Sequence, residues 1–467
     1  MSATSGFDVT SPVDGQVFAH RPYATPPEIE TALGHAVRAQ RCLADTALET
    51  RQELCRKLVS CLRAGEPDLS AEITWQMGRP LHFATGELDG VEERATYMID
   101  VAAEALATRR AQRQGTLSAE LHFEAAGVVL AIVPWNYPFL TAVNSVVPAL
   151  VAGNAVILKP SPQAPLSGER LATAAQAAGF PDGSVQALHL KNGDTLRLVA
   201  EPRISHVVFT GSVAVGRLIG AEAGRSLTAV TLELGGNDAA YVRSDADIAA
   251  TAEALAEGAF FNSGQSCCAI ERIFVTRGAF ADFMDAFLSA QAAWRLGDPF
   301  DQDTRLGPMV SAEAAARLRT LIEKAEASGA TPLGPEPTDG FPTPAYVPAR
   351  SLLLNGEDNR ILDQELFGPL ACIVPVDGDD DALSRINDSD YGLTASVWTE
   401  DGNAARHIGE RLEVGTVYQN CCDYLDPFLA WSGRKNSGIG LSLSALGYQQ
   451  LTRPKSYHLR TTLRRPR

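Results

Sequence analysis

The chain has 467 residues, 45% of them apolar and 21% charged, with a formal net charge of −16. That length suits two or three domains with a large core, and the composition is that of an ordinary globular protein. The acidic balance argues against nucleic acid and anionic membranes as partners, since both need a basic footprint.

Turn signals at Ser11-Pro12 and Asp14-Gly15 break the first stretch into short extended pieces. Helical patterns follow. Ile29, Leu33, Ala36 and Val37 recur at helical spacing after Pro26-Pro27, and Leu54, Leu58, Cys61 and Leu62 repeat the pattern. A third helix is expected from Leu69 to Met77, stopped by Gly78 and Pro80. Cys42, Cys55 and Cys61 fall in these helices and read as buried, inert thiols. Thr108 to Phe123 carries charge and then alternation, as a projecting hairpin would.

The core begins at Val128. Val128–Val133, Ala155–Leu158 and Val207–Phe209 are continuous apolar runs, read as strands buried on both faces. Helical segments from Val143 to Ala152 and from Ser167 to Ala178 separate them, which implies right-handed crossovers and a parallel sheet. The apolar region from Val128 to Leu158 is too broken by Asn136, Asn144, Asn154 and three prolines to span a membrane. Ligands of parallel sheets lie at the carboxyl ends of the strands. Pro134-Trp135-Asn136-Tyr137, Lys159-Pro160-Ser161 and Thr210-Gly211-Ser212 stand at those ends. The last puts a glycine and a hydroxyl at a helix start, where exposed N–H groups favour phosphate. Each also has a plainer reading, Ser212 as an N-cap and Lys159 as a surface charge.

Gly235-Gly236 marks a turn and a domain crossing. A helix from Ile248 to Ala259 leads into Phe260-Phe261-Asn262-Ser263-Gly264-Gln265-Ser266-Cys267-Cys268. A cysteine after a flexible turn, with Glu233 mounted separately upstream, suggests two-step covalent chemistry: sulfur attacks, then a base drives water onto the intermediate. Arg272–Val275 and Ala371–Val376 read as further strands. Asp377 to Asp381 lacks calcium-loop spacing and reads as solvated surface. The eight cysteines form no CxxC and the histidines are scattered, so no metal site is expected. With no charged-then-apolar leader at Met1, a reducing cytoplasm is the expected location. Arg460, Arg464, Arg465 and Arg467 read as a solvated basic terminus.

Seven motifs in order resemble the aldehyde dehydrogenase superfamily across essentially the whole chain. They are Pro134-Trp135-Asn136, Lys159-Pro160-Ser161, Phe209-Thr210-Gly211-Ser212, Glu233-Leu234-Gly235-Gly236, Gly264-Gln265-Ser266-Cys267, Glu365-Leu366-Phe367-Gly368-Pro369 and Lys435-Asn436-Ser437-Gly438. The resemblance implies an α/β fold in three parts. A Rossmann-like dinucleotide-binding domain would occupy 1–107 and 126–235, and an α/β catalytic domain 236–437. A small β oligomerisation arm with the C-terminal return would occupy 108–125 and 438–467. It also implies a homodimer or homotetramer.

The implied reaction oxidises an aldehyde to the carboxylic acid with NAD(P)+. Cys267 attacks the carbonyl carbon while the Asn136 side chain and the Cys267 N–H hold the oxyanion. Hydride leaves for the nicotinamide, and Glu233 activates water to hydrolyse the thioester. Family register makes Cys267 the nucleophile and Cys268 a buried neighbour. Among cofactor residues, Lys159 would bind the adenosine ribose and Ser212 the pyrophosphate. Glu365 would hold the nicotinamide ribose and Phe367 pack beside the ring, with Trp135, Ser161, Gly211 and Gly235 completing the site. Tyr137, Asn144, Phe261 and the loop Asn420-Cys421-Cys422-Asp423-Tyr424, with its one acid, should line the substrate tunnel.

The chain departs from the family pattern in places. Pro162 stands where many NAD-preferring members carry a glutamate that repels a 2′-phosphate, and Ser161 could donate to that phosphate. NAD with NADP tolerated is the expectation. Gln450 replaces a carboxylate that serves some members as a second base, which puts more weight on Glu233. No arginine pair for a carboxylate is evident, and Arg434 reads as structural, so uncharged aliphatic or aromatic aldehydes are the expected substrates. The alternatives are a succinate-semialdehyde-type dehydrogenase, a coenzyme A-acylating enzyme and a non-enzymatic homologue. Glu233 argues against the acylating enzyme, and the intact Cys267, Glu233 and Asn136 argue against the non-enzyme. A thiol esterase would leave Lys159, Ser212 and Glu365 without a purpose.

Overall fold

The structure is a computed structural model that describes residues 6–112, 117–336, 340–354 and 359–461. Of the basic terminus, Arg460 ends the last strand on the surface, while Arg464, Arg465 and Arg467 lie outside the described residues.

The fold is α/β. Val128–Ile132 and Ala155–Lys159 are buried along their whole length, as continuous apolar runs require. They pair in parallel near the centre of a six-stranded sheet. Its order is Gly438–Ile439, Ala229–Glu233, Ile204–Thr210, Val128–Ile132, Ala155–Lys159, Val185–Ala187. Only the Gly438–Ile439 edge strand is antiparallel. After Val128–Ile132 the chain first builds to one side, through Ala155–Lys159 and Val185–Ala187. It then returns to the other side with Ile204–Thr210. That reversal opens a crevice at the carboxyl ends, between the segments that carry Asn136 and Ser212.

A second sheet has seven strands, in the order Thr331–Leu333, Arg350–Leu353, Leu370–Val376, Ile270–Thr276, Asp238–Val242, Thr394–Trp398, Thr416–Gln419. It is parallel apart from its Thr331–Leu333 edge. The chain passes from the first sheet to the second through Leu234–Asn237, between the strands that end at Glu233 and begin at Asp238. Thr452–Arg460, Leu117–Ala125 and Arg109–Gln112 form a separate antiparallel arm whose last strand is mostly exposed.

Two expectations change. The helix Gly86–Ala105 has no counterpart among the expected elements, because Glu87 and Arg94 stand on its inner face and interrupt the apolar stripe of Leu88, Val91, Ala95, Met98 and Ala102. Cys42 is exposed rather than buried: the core face of Pro26–Ala44 is set by Leu33, Ala36, Ala39 and Leu43, which turns Cys42 outward. Cys55 is buried and Cys61 half-buried. Among the described residues no helix is long and apolar enough to cross a membrane.

Candidate active site

The cysteine loop starts where the helix Ile248–Phe260 ends. Asn262, Ser263 and Gly264 all take left-handed backbone, with φ of 53°, 57° and 66°. Asparagine and glycine tolerate this; serine is strained by about 1–3 kcal/mol. A Cβ on Gly264 would also collide with the Gly368 carbonyl. Hydrogen bonds hold the turn. Asn262 Oδ1 accepts from Arg79 Nε (2.9 Å), and Ser263 Oγ donates to the Gly307 carbonyl (2.9 Å). Gln265 donates to the Asn262 carbonyl (3.1 Å) and accepts from the Val310 N–H (2.8 Å).

Both neighbours of Cys267 are anchored to one carboxylate. Asp423 Oδ1 accepts from Ser266 Oγ (3.0 Å) and from Cys268 Sγ (2.9 Å). The Cys267 thiol beside it, with burial, pushes the Cys268 thiol well above its usual pKa. Cys268 therefore stays protonated and a poor nucleophile. Burial raises the Asp423 carboxyl to about 6.

Asn136 follows the first core strand. Its backbone carbonyl accepts from Arg79 Nη2 and from Asn262 Nδ2 (3.2 Å), and its side-chain Nδ2 donates to the Gln265 carbonyl (3.0 Å). An amide nitrogen has two hydrogens, so this bond leaves a second donor. The strand that ends in Glu233 brings that carboxylate to Thr210, whose hydroxyl donates to Oε2 (3.2 Å). Oε1 has no partner among the described residues; the Ser442 hydroxyl lies near but closes no hydrogen bond. Burial raises the Glu233 carboxyl above the ordinary glutamate value.

Cys267 and Glu233 border one cavity of about 810 Å³, and so do Tyr137, Asn144, Phe261, Cys421 and Tyr424. Asn136 is buried and is not among the residues that border it. Arg434 is exposed in the short strand Arg434–Lys435 and does not line the cavity.

The strand ends fit a dinucleotide. Lys159 is buried, and its ammonium makes no hydrogen bond or ion pair among the described residues; burial lowers its pKa. Ser212 caps the helix Val213–Ser226, yet its side chain makes no capping bond, so hydroxyl and helix N-terminus stand open to an anion. Gly211 lies beside the Phe209 ring, where a Cβ has no room. Ser161 Oγ accepts from the Gln163 N–H (3.3 Å), which leaves its own proton to give. Across the crevice, Glu365 Oε1 accepts from the Gly236 N–H (3.2 Å), and burial lifts that carboxyl to about 7. A Cβ on Gly235 would strike the same carboxylate. Phe367 has a left-handed φ of 51°, held by Glu271, which accepts its N–H at 2.9 Å. Its ring meets Trp135 edge-on at 5.7 Å.

Arg79 and Arg94 were not among the residues expected around the cavity, and Asp423, expected there, has a further role. Arg79 links Asn136 and Asn262 and ion-pairs with Glu87 (2.6 Å). Asp423 anchors the cysteine loop. Arg94 projects from the inner face of Gly86–Ala105 into the cavity wall. It is an arginine beside the tunnel, which the sequence reading lacked. An arginine inside an otherwise apolar helical stripe was the signal available for Arg94; nothing local marks Arg79, or the hold of Asp423 on the cysteine loop.

Open polar groups at the strand ends, together with a buried carboxylate and a cysteine on one cavity, suit a nucleotide-dependent oxidoreductase. The model of the aldehyde dehydrogenase family matches residues 1–457, and the chain belongs to that family. It is 34% identical over 436 residues to an aldehyde dehydrogenase of Paenarthrobacter nicotinovorans, covering 92% of this chain and 95% of that protein. It is 33% identical to a succinate semialdehyde dehydrogenase [NAD(P)+] of Escherichia coli, covering 94% and 95%. Among solved structures, an NAD-dependent aldehyde dehydrogenase from Sinorhizobium meliloti superposes with a TM-score of 0.95 at 29% identity, covering 100% and 93%. The protein is an NAD(P)-dependent oxidoreductase that oxidises aldehydes.

Proposed function

We propose that Cys267 carries the reaction as nucleophile and Glu233 as the base that releases the product. The observation that carries this reading is that the two side chains border one cavity, the thiol between anchored neighbours and the carboxylate with one oxygen unpartnered. The Cys267 sulfur adds to the aldehyde carbon. The free N–H of Asn136 and the Cys267 backbone N–H stabilise the oxygen as it becomes an anion. NAD(P)+, when bound, supplies the hydride acceptor. Lys159, Ser161, Ser212 and Glu365 would hold it, with Trp135 and Phe367 at its ring end and Gly211 and Gly235 leaving room for its backbone. The acyl group stays on sulfur as a thioester. Glu233 takes a proton from water, which attacks that thioester and frees the acid. Glu233 beside the thiol favours water over coenzyme A as the acceptor.

We further propose NAD as the preferred cofactor with NADP accepted, since Pro162 offers no carboxylate against a 2′-phosphate. The crevice side, 1–107 and 126–235, is taken as the cofactor domain, and 236–437 as the catalytic domain. The arm (108–125) with 438–467 is taken as the surface that pairs copies into a homodimer or homotetramer; its outer strands Arg109–Gln112 and Thr452–Arg460 leave open edges. All eight thiols are free, which fits a reducing cytoplasm.

An aldehyde panel with NAD+ and NADP+, followed at the nicotinamide absorbance, tests the reading. Cys267→Ala should lose NADH formation by at least about a thousandfold, as loss of a covalent nucleophile does. Full turnover in that variant refutes the covalent route.

A further inference from the structure

Four arginines are buried among the described residues: Arg79, Arg94, Arg272 and Arg350. The other three each have a carboxylate or several carbonyls as partners. Arg79 pairs with Glu87 at 2.6 Å, and Arg350 with Glu336 at 3.2 Å. Arg272 donates to the carbonyls of Asn237 (3.0 Å), Arg385 (3.3 Å) and Ile386 (3.4 Å). Arg94 is only 7% exposed, and its one hydrogen bond among the described residues runs from Nη1 to Asn144 Oδ1 at 3.4 Å. A guanidinium has five N–H donors in a planar fork, and leaving most of them unused away from bulk water is costly.

The free donors have somewhere to point, because Arg94 and Asn144 both line the cavity of Cys267. Since Asn144 Oδ1 accepts from Arg94, its Nδ2 is a donor too, and it gives to nothing among the described residues. Guanidinium fork and amide N–H together match the two oxygens of a carboxylate. The nearby acids do not fill the place. Glu233, Glu93 and Asp423 act on Arg94 through space, but none closes an ion pair with it. Glu93 instead takes the Tyr424 hydroxyl (2.6 Å), and Asp423 takes Ser266 and Cys268. The remaining rim acids, Asp89 and Glu257, are exposed. Solvent and salt therefore screen them within about 8 Å.

On the reading that Cys267 oxidises an aldehyde, we propose that Arg94 and Asn144 form a carboxylate receptor in the cavity wall, so that the preferred substrates are aldehydes bearing a second, anionic carboxylate. Arg94, Asn144, Cys267 and Glu233 all line that one cavity, so a single substrate can meet the receptor with its carboxylate and the sulfur with its aldehyde. Such a substrate supplies the counter-charge that the fold withholds, and its aldehyde is carried toward sulfur. Gly90, one turn before Arg94, supports the placement: a Cβ there would stand 2.9 Å from Leu140, so the helices carrying Arg94 and Asn144 pack closely.

Succinate semialdehyde and butanal, matched in length, are the probes. The wild type should favour the semialdehyde by kcat/KM, mainly through KM. Arg94→Gln should shrink that preference about 10- to 100-fold, the worth of charge-assisted hydrogen bonds. Arg94→Lys should restore part of it. Asn144→Leu, which keeps the charge, should shrink the preference by a smaller factor and covers the case in which Arg94→Gln does not fold. A wild type with no preference, or variants that lose both substrates equally through kcat, would overturn the receptor. Calorimetric binding of succinate to the wild type and to Arg94→Gln separates the two levels. Arg94-dependent binding without oxidation of any aldehyde would sink the oxidation reading and leave the anion site standing. Absence of binding to the wild type would sink the site.

Discussion

Arg79 and Arg94 stand on the same cavity and are both buried, yet they are built in opposite ways. Every nitrogen of Arg79 has a partner: Glu87 ion-pairs with it, Asn262 accepts from its Nε, and the Asn136 carbonyl takes Nη2. Glu87 is held in turn by the N–H groups of Phe139 (2.7 Å) and Leu140 (3.0 Å). Arg94 has one long bond among the described residues and borders the cavity. A buried charge with every partner inside the protein holds structure; one whose partners are missing is fitted to something that arrives. The loop behind Cys267 belongs to the first kind and the substrate wall to the second.

The contrast breaks most visibly at Arg79. Arg79→Gln leaves Glu87 charged and unpaired, and losing one partner of a buried pair costs about 3–5 kcal/mol. A lowered midpoint in chemical denaturation should accompany a loss of activity on every aldehyde, because Asn136 and Asn262 lose their tie together. Arg94→Gln should move the same midpoint by no more than about 1 kcal/mol, since an under-partnered charge contributes little to the fold. Equal destabilisation by the two variants would erase the distinction.

A smaller effect lies in the pH profile. Burial raises the Glu233 carboxyl, and only its ionised form can take a proton from water. Under conditions where hydrolysis limits turnover, kcat should therefore rise with pH, with a midpoint above the ordinary glutamate value of about 4.3. It should flatten in Glu233→Gln. A profile that falls through the same range would speak against Glu233 as the base.

Much of this arrangement is legible in sequence, for a physical reason. Strands buried on both faces must be continuously apolar, so Val128–Ile132 and Ala155–Lys159 announce themselves, and the polar residues that follow them fall at the crevice. Tyr137, Asn144, Phe261, Cys421 and Tyr424 come to one cavity because strand ends, the cysteine loop and the Asn420–Tyr424 loop converge there. What stayed hidden depends on contacts between distant segments. Arg79 meets Asn262 183 positions away, and Cys268 meets Asp423 155 away. The helix Gly86–Ala105 escaped notice because its two most informative residues, Glu87 and Arg94, are charges on a buried face. The residue that bears most on substrate choice thus sat in the element whose periodicity it spoiled.

The central claim is that Cys267 holds the acyl group and Glu233 releases it. Glu233→Gln, mixed with aldehyde and NAD+ and examined by intact-protein and peptide mass spectrometry, tests it most directly. The variant should give a burst of about one equivalent of NADH per site, then slow turnover, with the acyl mass on the peptide that contains Cys267. Wild-type turnover with Cys267 unmodified would contradict it.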